Sequence, residues 1–412
     1  MANNWTYKKI EDVAEKVGMG PFGSSIKVET FVPTGIPVVS GQHLHGFRLN
    51  ENAGFNFVTE EHADKLKNAN VFRGDIIFTH AGNIENVAYI PENSKYERYV
   101  ASQRQFYMRC DLSKILPSFV VYYFNSHEGK YKLTANSSSV GVPSIAQPVS
   151  YLRKLEIPVP PLPEQHAIVG ILDALDTKIE INRRMNVTLE SITRAVFRQW
   201  FVENEEVKSW EIQTLQQHIE AEKGLSYKGE GLSKDGGTPM HNLNSVYEGG
   251  GYKYSGIKYY TGEYRERHII NAGDIIVTNT EQGFQYLLIG FPAIVPKHFG
   301  GKGIFTHHIF RVRPLSTSPV KTHYLYFLLM NPYVRDQIIG CTNGTTVNML
   351  SADGLRTPKF HLPPKQLIDE FEKFATPIFE KMELIHEESR MLGSLRDSLL
   401  PKLMRGEVRV GA

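Results

Sequence analysis

Gly74-Asp75-Ile76-Ile77 and Gly273-Asp274-Ile275-Ile276 are one tetrapeptide occurring twice, 199 positions apart in a chain of 412 residues. In each copy a Gly turn and an Asp precede a short apolar run, which reads as entry into a buried strand. The neighbourhood repeats too. Upstream, Gly35-Ile36-Pro37 is matched by Gly237-Thr238-Pro239 at an offset of 202, and Trp5 with Ile10 by Trp210 with Leu215 at 205. Downstream, Phe106-Tyr107-Met108-Arg109 is matched by Phe310-Arg311-Val312-Arg313 at 204. Tyr122-Tyr123-Phe124-Asn125 then pairs with Tyr326-Phe327-Leu328-Leu329, and Val142-Pro143-Ser144-Ile145 with Val347-Asn348-Met349-Leu350. Leu162-Pro163-Glu164-Gln165 closes the series against Pro363-Pro364-Lys365-Gln366 at 201. Matches in one order at nearly one offset mark an internal duplication.

Each copy reads as a globular unit of mixed α and β followed by a long helix. Phe106 to Cys110 and Ile309 to Val312 alternate like half-buried strands, and Ser118 to Asn125 and Lys321 to Asn331 look helical. From Pro163 to about Phe201 no proline interrupts the chain, and Ile168, Leu172, Leu175 and Ile179 step by 4, 3 and 4. Met185, Leu189, Ile192 and Val196 resume those steps as a narrow coiled-coil seam, with Asn182 between the two runs as a register-setting residue. Leu367, Phe371, Phe374 and Ile378 repeat the spacing, continued loosely by Met382, Ile385, Leu392, Leu395 and Leu399. Pro377 is expected to kink or interrupt this second helix near Thr376. The fold class is therefore α+β: two similar globular domains, residues 1–158 and 203–361, separated by two long antiparallel helices, residues 159–202 and 362–412. A helix of ~38 residues rises about 57 Å. Two packed antiparallel would hold the domains at a distance that suits two reading heads on one duplex, whose turn is ~34 Å.

Composition narrows the function. Hydrophobic residues make up 41% and charged residues 22%, as in an ordinary globular protein. No apolar run reaches the ~18 residues of a membrane span, so no membrane partner is expected. Cys110 and Cys341 are the only cysteines, which excludes a disulfide framework and a Cys-based zinc site and fits a reducing cytoplasm. The net charge of +2 is low for a free-standing nucleic-acid binder. Any DNA contact must come from local patches, or a partner must supply much of the phosphate grip.

The helical regions carry a resemblance. Ile157-Pro158-Val159-Pro160-Pro161-Leu162-Pro163-Glu164-Gln165, Leu172-Asp173-Ala174-Leu175-Asp176-Thr177-Lys178-Ile179 with Asn182-Arg183-Arg184, and Phe197-Arg198-Gln199-Trp200-Phe201 resemble the first spacer of type I restriction–modification specificity subunits. Leu399-Leu400-Pro401-Lys402-Leu403-Met404-Arg405-Gly406-Glu407-Val408-Arg409-Val410 resembles the end of the second. The resemblance implies two target-recognition domains, each reading half of a split site in double-stranded DNA. It also implies helices that set the gap and dock two methylation subunits. Those subunits would carry S-adenosylmethionine and methylate adenine, and restriction subunits would bring ATP and Mg²⁺. No cofactor is expected on this chain. Pro377 departs from the family's unbroken second spacer.

Catalytic signals point elsewhere or nowhere. Phe299-Gly300-Gly301-Lys302-Gly303 fits the F-x-G-x-G of methyltransferases, and Asn331-Pro332-Tyr333 resembles their N-P-P-Y, so a stand-alone adenine methyltransferase is the second reading. The Gly run leads into a strand rather than a helix, however, and the second motif lacks one Pro, so the first reads as a turn and the second as a helix end. No G-x-x-x-x-G-K-[ST] loop is present. Asp75 and Asp274 read as turn residues rather than nuclease carboxylates. His307 and His308, taken as strand neighbours, would point to opposite faces and so hold no metal. Arg104 takes the place of His308 in the first copy.

Base reading is expected where the copies differ within a shared framework. Three loop pairs qualify. His80 and Asn83 face Asn279 and Gln282; Gln103 and Arg104 face His307 and His308; Ser138 faces Asn343 and Thr345. Lys95, Arg98, Lys253, Lys258, Arg265 and Lys302 are candidate phosphate contacts, with aromatic interleaving at Tyr252-Lys253-Tyr254 and Lys258-Tyr259-Tyr260.

Overall fold

The computed structural model describes residues 5–23, 25–138, 141–234, 236–283, 285–344 and 347–410. The chain divides into two compact units. The first comprises residues up to Ile179 together with Met391 onward, and the second runs from Glu180 to Arg390.

The duplicated tetrapeptide sits at the same place in both. In the first unit a four-stranded antiparallel sheet runs in the order Ala14–Met19, Gln105–Cys110, Ile76–Thr79, Val87–Tyr89. In the second the order is Ile219–Lys223, Ile309–Pro314, Ile275–Thr278, Pro292–Ile294. A second sheet accompanies each. In the first unit it orders Asn56–Val58, Ile36–Val39, Arg98–Ala101 and Asn70–Phe72, with the middle two parallel. The second unit repeats this with Lys258–Tyr260, Thr238–His241, Lys302–Phe305 and Ile269–Asn271, and adds Leu232–Ser233 at one edge.

The strand after each tetrapeptide is buried as expected, and its neighbour, Gln105–Cys110 or Ile309–Pro314, is covered on both faces, not one. Strand side chains alternate between faces. Phe78, Phe106 and Met108 pack with the helix Pro117–Asn125, whereas Ile77 and Tyr107 pack with Val39, Tyr99 and Ala101 of the other sheet. The second unit splits Val277 and Val312 from Ile276 and Ile309 in the same way. The alternation expected of half-buried strands is therefore corrected: hydrophobic material covers both sides.

Asp75 and Asp274 close the turns as expected. Each carboxylate accepts from a backbone N–H three residues back, Phe72 at 2.8 Å and Asn271 at 2.7 Å.

The long helices span Leu162–Phe201 and Lys365–Met404, 40 residues each. Within the first unit Ile168 and Leu172 are buried with Leu400, Leu403 and Met404, and Arg396 reaches Asp176 at 2.7 Å. Within the second, Asn182 donates to Glu388 at 2.8 Å and Asn186 to the Met382 carbonyl at 3.2 Å, while Phe197 and Phe201 pack on Phe371. Rising numbers on one helix meet falling numbers on the other, so the pairing is antiparallel. The seam departs from the expected one past Ile179. Met185 and Ile192 are exposed, and the fully buried Thr193 takes part instead, its hydroxyl donating to the Leu189 carbonyl, while Asn182 is buried between the two runs where a register-setting residue was expected.

Pro377 does not interrupt the second helix, which continues from Lys365 to Met404. A proline in a helix removes the hydrogen bond to the carbonyl four residues back, here that of Lys373. Lys373 and Pro377 are both exposed, so the lost bond lies on the solvent side of the helix, while buried Phe371 and Ala375 anchor it on the other.

Candidate nucleic-acid interface

In each unit one residue ties the three candidate loops together. His80 N–H donates to the Arg104 carbonyl at 2.9 Å, and the His80 carbonyl accepts from Ile145 N–H at 2.8 Å. Asn279 does the same with His308 at 3.1 Å and Leu350 at 2.8 Å. The segment following Thr79 or Thr278 thus passes between the inter-strand turn and the chain around Ile145 or Leu350. The turns are held from their other end as well: Ser102 N–H donates to Val39 O at 2.9 Å and Thr306 N–H to His241 O at 3.0 Å.

The side chains of His80 and Asn279 are occupied by that scaffold. His80 Nε2 lies 3.0 Å from the Gln103 carbonyl, so the ring donates there, and Asn279 Nδ2 donates to the His307 carbonyl at 3.0 Å. Asn279 is 3% exposed. Both side chains, expected to read bases, bond to the backbone of the inter-strand turn.

Gln103 is exposed, but its amide donates to the carbonyls of Gly23 and Ile26. Arg104, beside it, is exposed and has no side-chain partner among the described residues. Asn83, Gln282 and Asn343 are exposed as well. Ser138 is exposed on a short strand paired with Ser144. Thr345 lies outside the described residues.

His307 and His308 occupy a turn rather than a strand, and their ring centroids are 3.9 Å apart. The opposite-faces expectation is corrected: a turn lets adjacent side chains meet. His307 Nδ1 lies 3.3 Å from the Leu225 carbonyl, and His308 Nδ1 lies 3.1 Å from the Thr280 hydroxyl. Burial, then the neighbouring His307, Lys223 and Lys258, push the His308 imidazole below its ordinary value. At neutral pH it therefore offers a neutral donor and acceptor, not a cation. Among the described residues no group of three or more His, Cys, Asp or Glu lies together as a metal site.

Some candidate phosphate contacts are already engaged. Arg98 is tied to Asp64 at 2.6 Å and Asn70 at 2.9 Å, and Lys258 donates to Tyr227 at 3.2 Å. Tyr254 stacks on His386 of the second long helix, centroids 3.4 Å apart, so it buttresses the domain instead of interleaving with cations. Lys95, Arg265 and Lys302 remain exposed.

Two kinds of residue escape sequence reading. A Cβ on Gly20 would strike the Ser102 carbonyl, and one on Gly224 the Phe305 and Thr306 carbonyls, so both turns need glycine beneath them. Met19-Gly20 and Lys223-Gly224 stand at the repeat's own offset of 204, so the repetition itself marks them. Glu281 accepts from the N–H groups of Leu287, Leu288 and Ile289 at 2.8 to 2.9 Å and so shapes the loop after Gln282. Buried Arg335 holds the same loop through the Ile289 and Tyr286 carbonyls.

The methyltransferase-like motifs are structural. Gly300 turns at φ 87° into the strand Lys302–Phe305. Asn331 caps the helix Pro332–Gly340, accepting from Tyr333 N–H at 2.9 Å.

A family model described as the type I restriction modification DNA specificity domain matches residues 2–191 and again 207–386. The chain is 24% identical to the type I restriction enzyme MjaIX specificity subunit of Methanocaldococcus jannaschii, over 99% of this chain and 94% of that protein. It is 24% identical to the HindI specificity subunit of Haemophilus influenzae, over 82% of this chain and 87% of that one. A crystal structure of the S subunit of a type I restriction–modification system from M. genitalium shares the fold at 16% identity, with a TM-score of 0.58 covering 98% of this chain and 97% of that one. Matched twice along most of its length, this chain belongs to the type I restriction–modification DNA specificity family.

Proposed function

We propose that this chain is the non-catalytic reader of a bipartite DNA site. Each unit recognises one half through the loops around its inter-strand turn, and the paired long helices set the spacing and receive two methylation subunits. S-adenosylmethionine is then bound by those subunits, and ATP with Mg²⁺ by restriction subunits that join them. The observation that carries this reading is the duplicated loop junction. His80 and Asn279 build the same backbone scaffold in both units, while the turns they hold present different chemistry, Gln103-Arg104 in one and His307-His308 in the other. A fixed frame with variable tips is what recognition of two different half-sites requires, since donors and acceptors must be set against particular base edges.

Co-expression with the methylation subunit, followed by sequencing of the methylated genome, tests it. The expected result is one methylated motif of two parts with a constant gap. A motif without a fixed gap would overturn the two-reader assignment. Binding of S-adenosylmethionine by the isolated chain would favour the methyltransferase reading instead.

A further inference from the structure

The first unit contains a cleft of about 760 Å³ lined by Lys16, Lys65, Lys67 and Arg153 and by no carboxylate. It opens above Gly18, where a Cβ would strike the Tyr107 ring, and the Tyr107 hydroxyl donates to the Asn68 carbonyl beneath. One wall is Met19 to Phe22, and Phe22 is 78% exposed. That wall leads directly into the segment whose Gly23 and Ile26 carbonyls hold the Gln103 amide, and Gly20 N–H donates to the Gln105 carbonyl at 2.8 Å. The cleft and the turn carrying Arg104 are therefore continuous.

Its cations are weakly committed. Lys67 is exposed and has no ion-pair partner among the described residues. Lys65 pairs with Glu61 at 2.7 Å, but both side chains are solvated, and such pairs hold little. Lys16 lies 5.7 Å from the Tyr107 ring centre, and Arg153 spends one N–H on the Val17 carbonyl at 3.3 Å.

The duplication shows that the fold does not require lysine at these positions. Strand register pairs Lys16 with Arg109, and Glu220 with the equivalent Arg313, so Glu220 stands where Lys16 does. Glu266 begins the short helix that Lys67 begins in the first unit, and counting back from it puts Tyr264 at the place of Lys65. Glu222 takes the position of Gly18 and pairs with Arg311, which replaces Tyr107. Of the four basic positions only Arg153 keeps its cation, as Arg356, which donates to Ala221 O as Arg153 does to Val17 O, while the same count puts Arg265 and Arg267 at the places of Leu66 and Asn68.

We propose that the Lys16–Lys67 cleft seats the phosphodiester backbone of the DNA duplex next to the half-site that the first unit reads. This rests on the DNA-reading function proposed above. It locates the local basic patch that a chain of net charge +2 needs. Backbone contacts fix the register in which the adjoining turn meets base edges.

The test uses the full chain assembled with its methylation subunits, on a duplex carrying the methylated motif and on one lacking it. Affinity is measured across a salt series for wild type, for Lys16→Ala/Lys67→Ala and for Lys16→Arg/Lys67→Arg. The alanine pair is expected to reduce the slope of log K against log salt by about 2, near 0.9 for each phosphate that is no longer neutralised. Affinity should fall about tenfold at ~0.15 M salt, alike on both duplexes, with the methylated motif unchanged. The arginine pair should keep the wild-type slope. An unchanged slope in the alanine pair, or an altered motif, overturns the cleft assignment while leaving the two-reader function standing. A wild-type complex with no bipartite motif overturns both.

Discussion

Arg109 grips Asp75 through two parallel hydrogen bonds, Nε to Oδ1 at 2.8 Å and Nη2 to Oδ2 at 2.7 Å. Arg313 grips Asp274 in the same fork, Nε to Oδ1 at 2.6 Å and Nη2 to Oδ2 at 2.5 Å. Two residues that stand well apart in each repeat are thus one structural device, present twice. The Asp75 side chain has no solvent exposure, and burial pushes its carboxyl above the ordinary range although Arg109 pulls it back. Breaking such a pair from one side strands a buried charge. Arg109→Ala should therefore cost about 3–5 kcal/mol in denaturant unfolding. Arg109→Ala combined with Asp75→Asn should cost less than the two single changes summed. Simple additivity in that cycle would refute the coupling.

Arg104→Ala and His307→Ala should relax different halves of the methylated motif. One good base-edge interaction is worth about 1–3 kcal/mol of discrimination, so its removal is enough to let other bases appear at one or two positions. Sequencing of methylated genomes from cells carrying each variant is the check, and the same positions relaxing in both would contradict separate readers.

His241 makes the second unit sensitive to acid. It is 1% exposed, its Nδ1 lies 2.7 Å from the Tyr252 hydroxyl, and burial lowers its imidazole to about 4. An unfolded chain takes up the proton near the ordinary value of 6.5, so the folded state loses relative stability as pH falls from there to about 4. The full loss is about 3 kcal/mol. Unfolding midpoints for the wild type and His241→Gln between pH 7 and 4 should converge as the pH drops, because glutamine binds no proton. Parallel curves would show that His241 is not responsible.

Pro377→Ala should stabilise the second unit by about 1–3 kcal/mol, since it restores an N–H for the Lys373 carbonyl and removes the ring. Chemical denaturation reads this directly. A loss of stability would mean that the helix depends on a bend at Pro377.

Gly20→Ala and Gly224→Ala should each lower stability and affect one half-site, because the added methyl meets backbone that cannot step aside. Gly41→Ala, where φ is not positive and a Cβ would meet only the Gln105 side chain at an ordinary 3.8 Å, is the control for proximity to the loop.

Much of the fold was legible because it is written in apolar periodicity and in repetition. The tetrapeptide, the strands after it and the first long helix follow from residues whose burial is dictated by their own chemistry, whereas the continuity of the second helix through Pro377 does not. The duplication then guaranteed that one copy's architecture was the other's. The candidate site was less legible. His80 and Asn279 have the side chains that a base reader has, yet they hydrogen-bond to carbonyls inside the protein. Thr193, polar, lies in the helix seam, while Ile192, apolar, lies outside it. Lys16 and Lys67 are 51 positions apart and say nothing of a shared cleft until the strand and short helix that carry them come together.

The sequence by itself determined that there are two units, that each contains the same strand-entering turn, and that a helical region follows each. Tertiary structure alone decided which polar groups face water. A hydrogen-bonding side chain is satisfied equally by a carbonyl, a water molecule or a base edge, and only the packing around it selects among them.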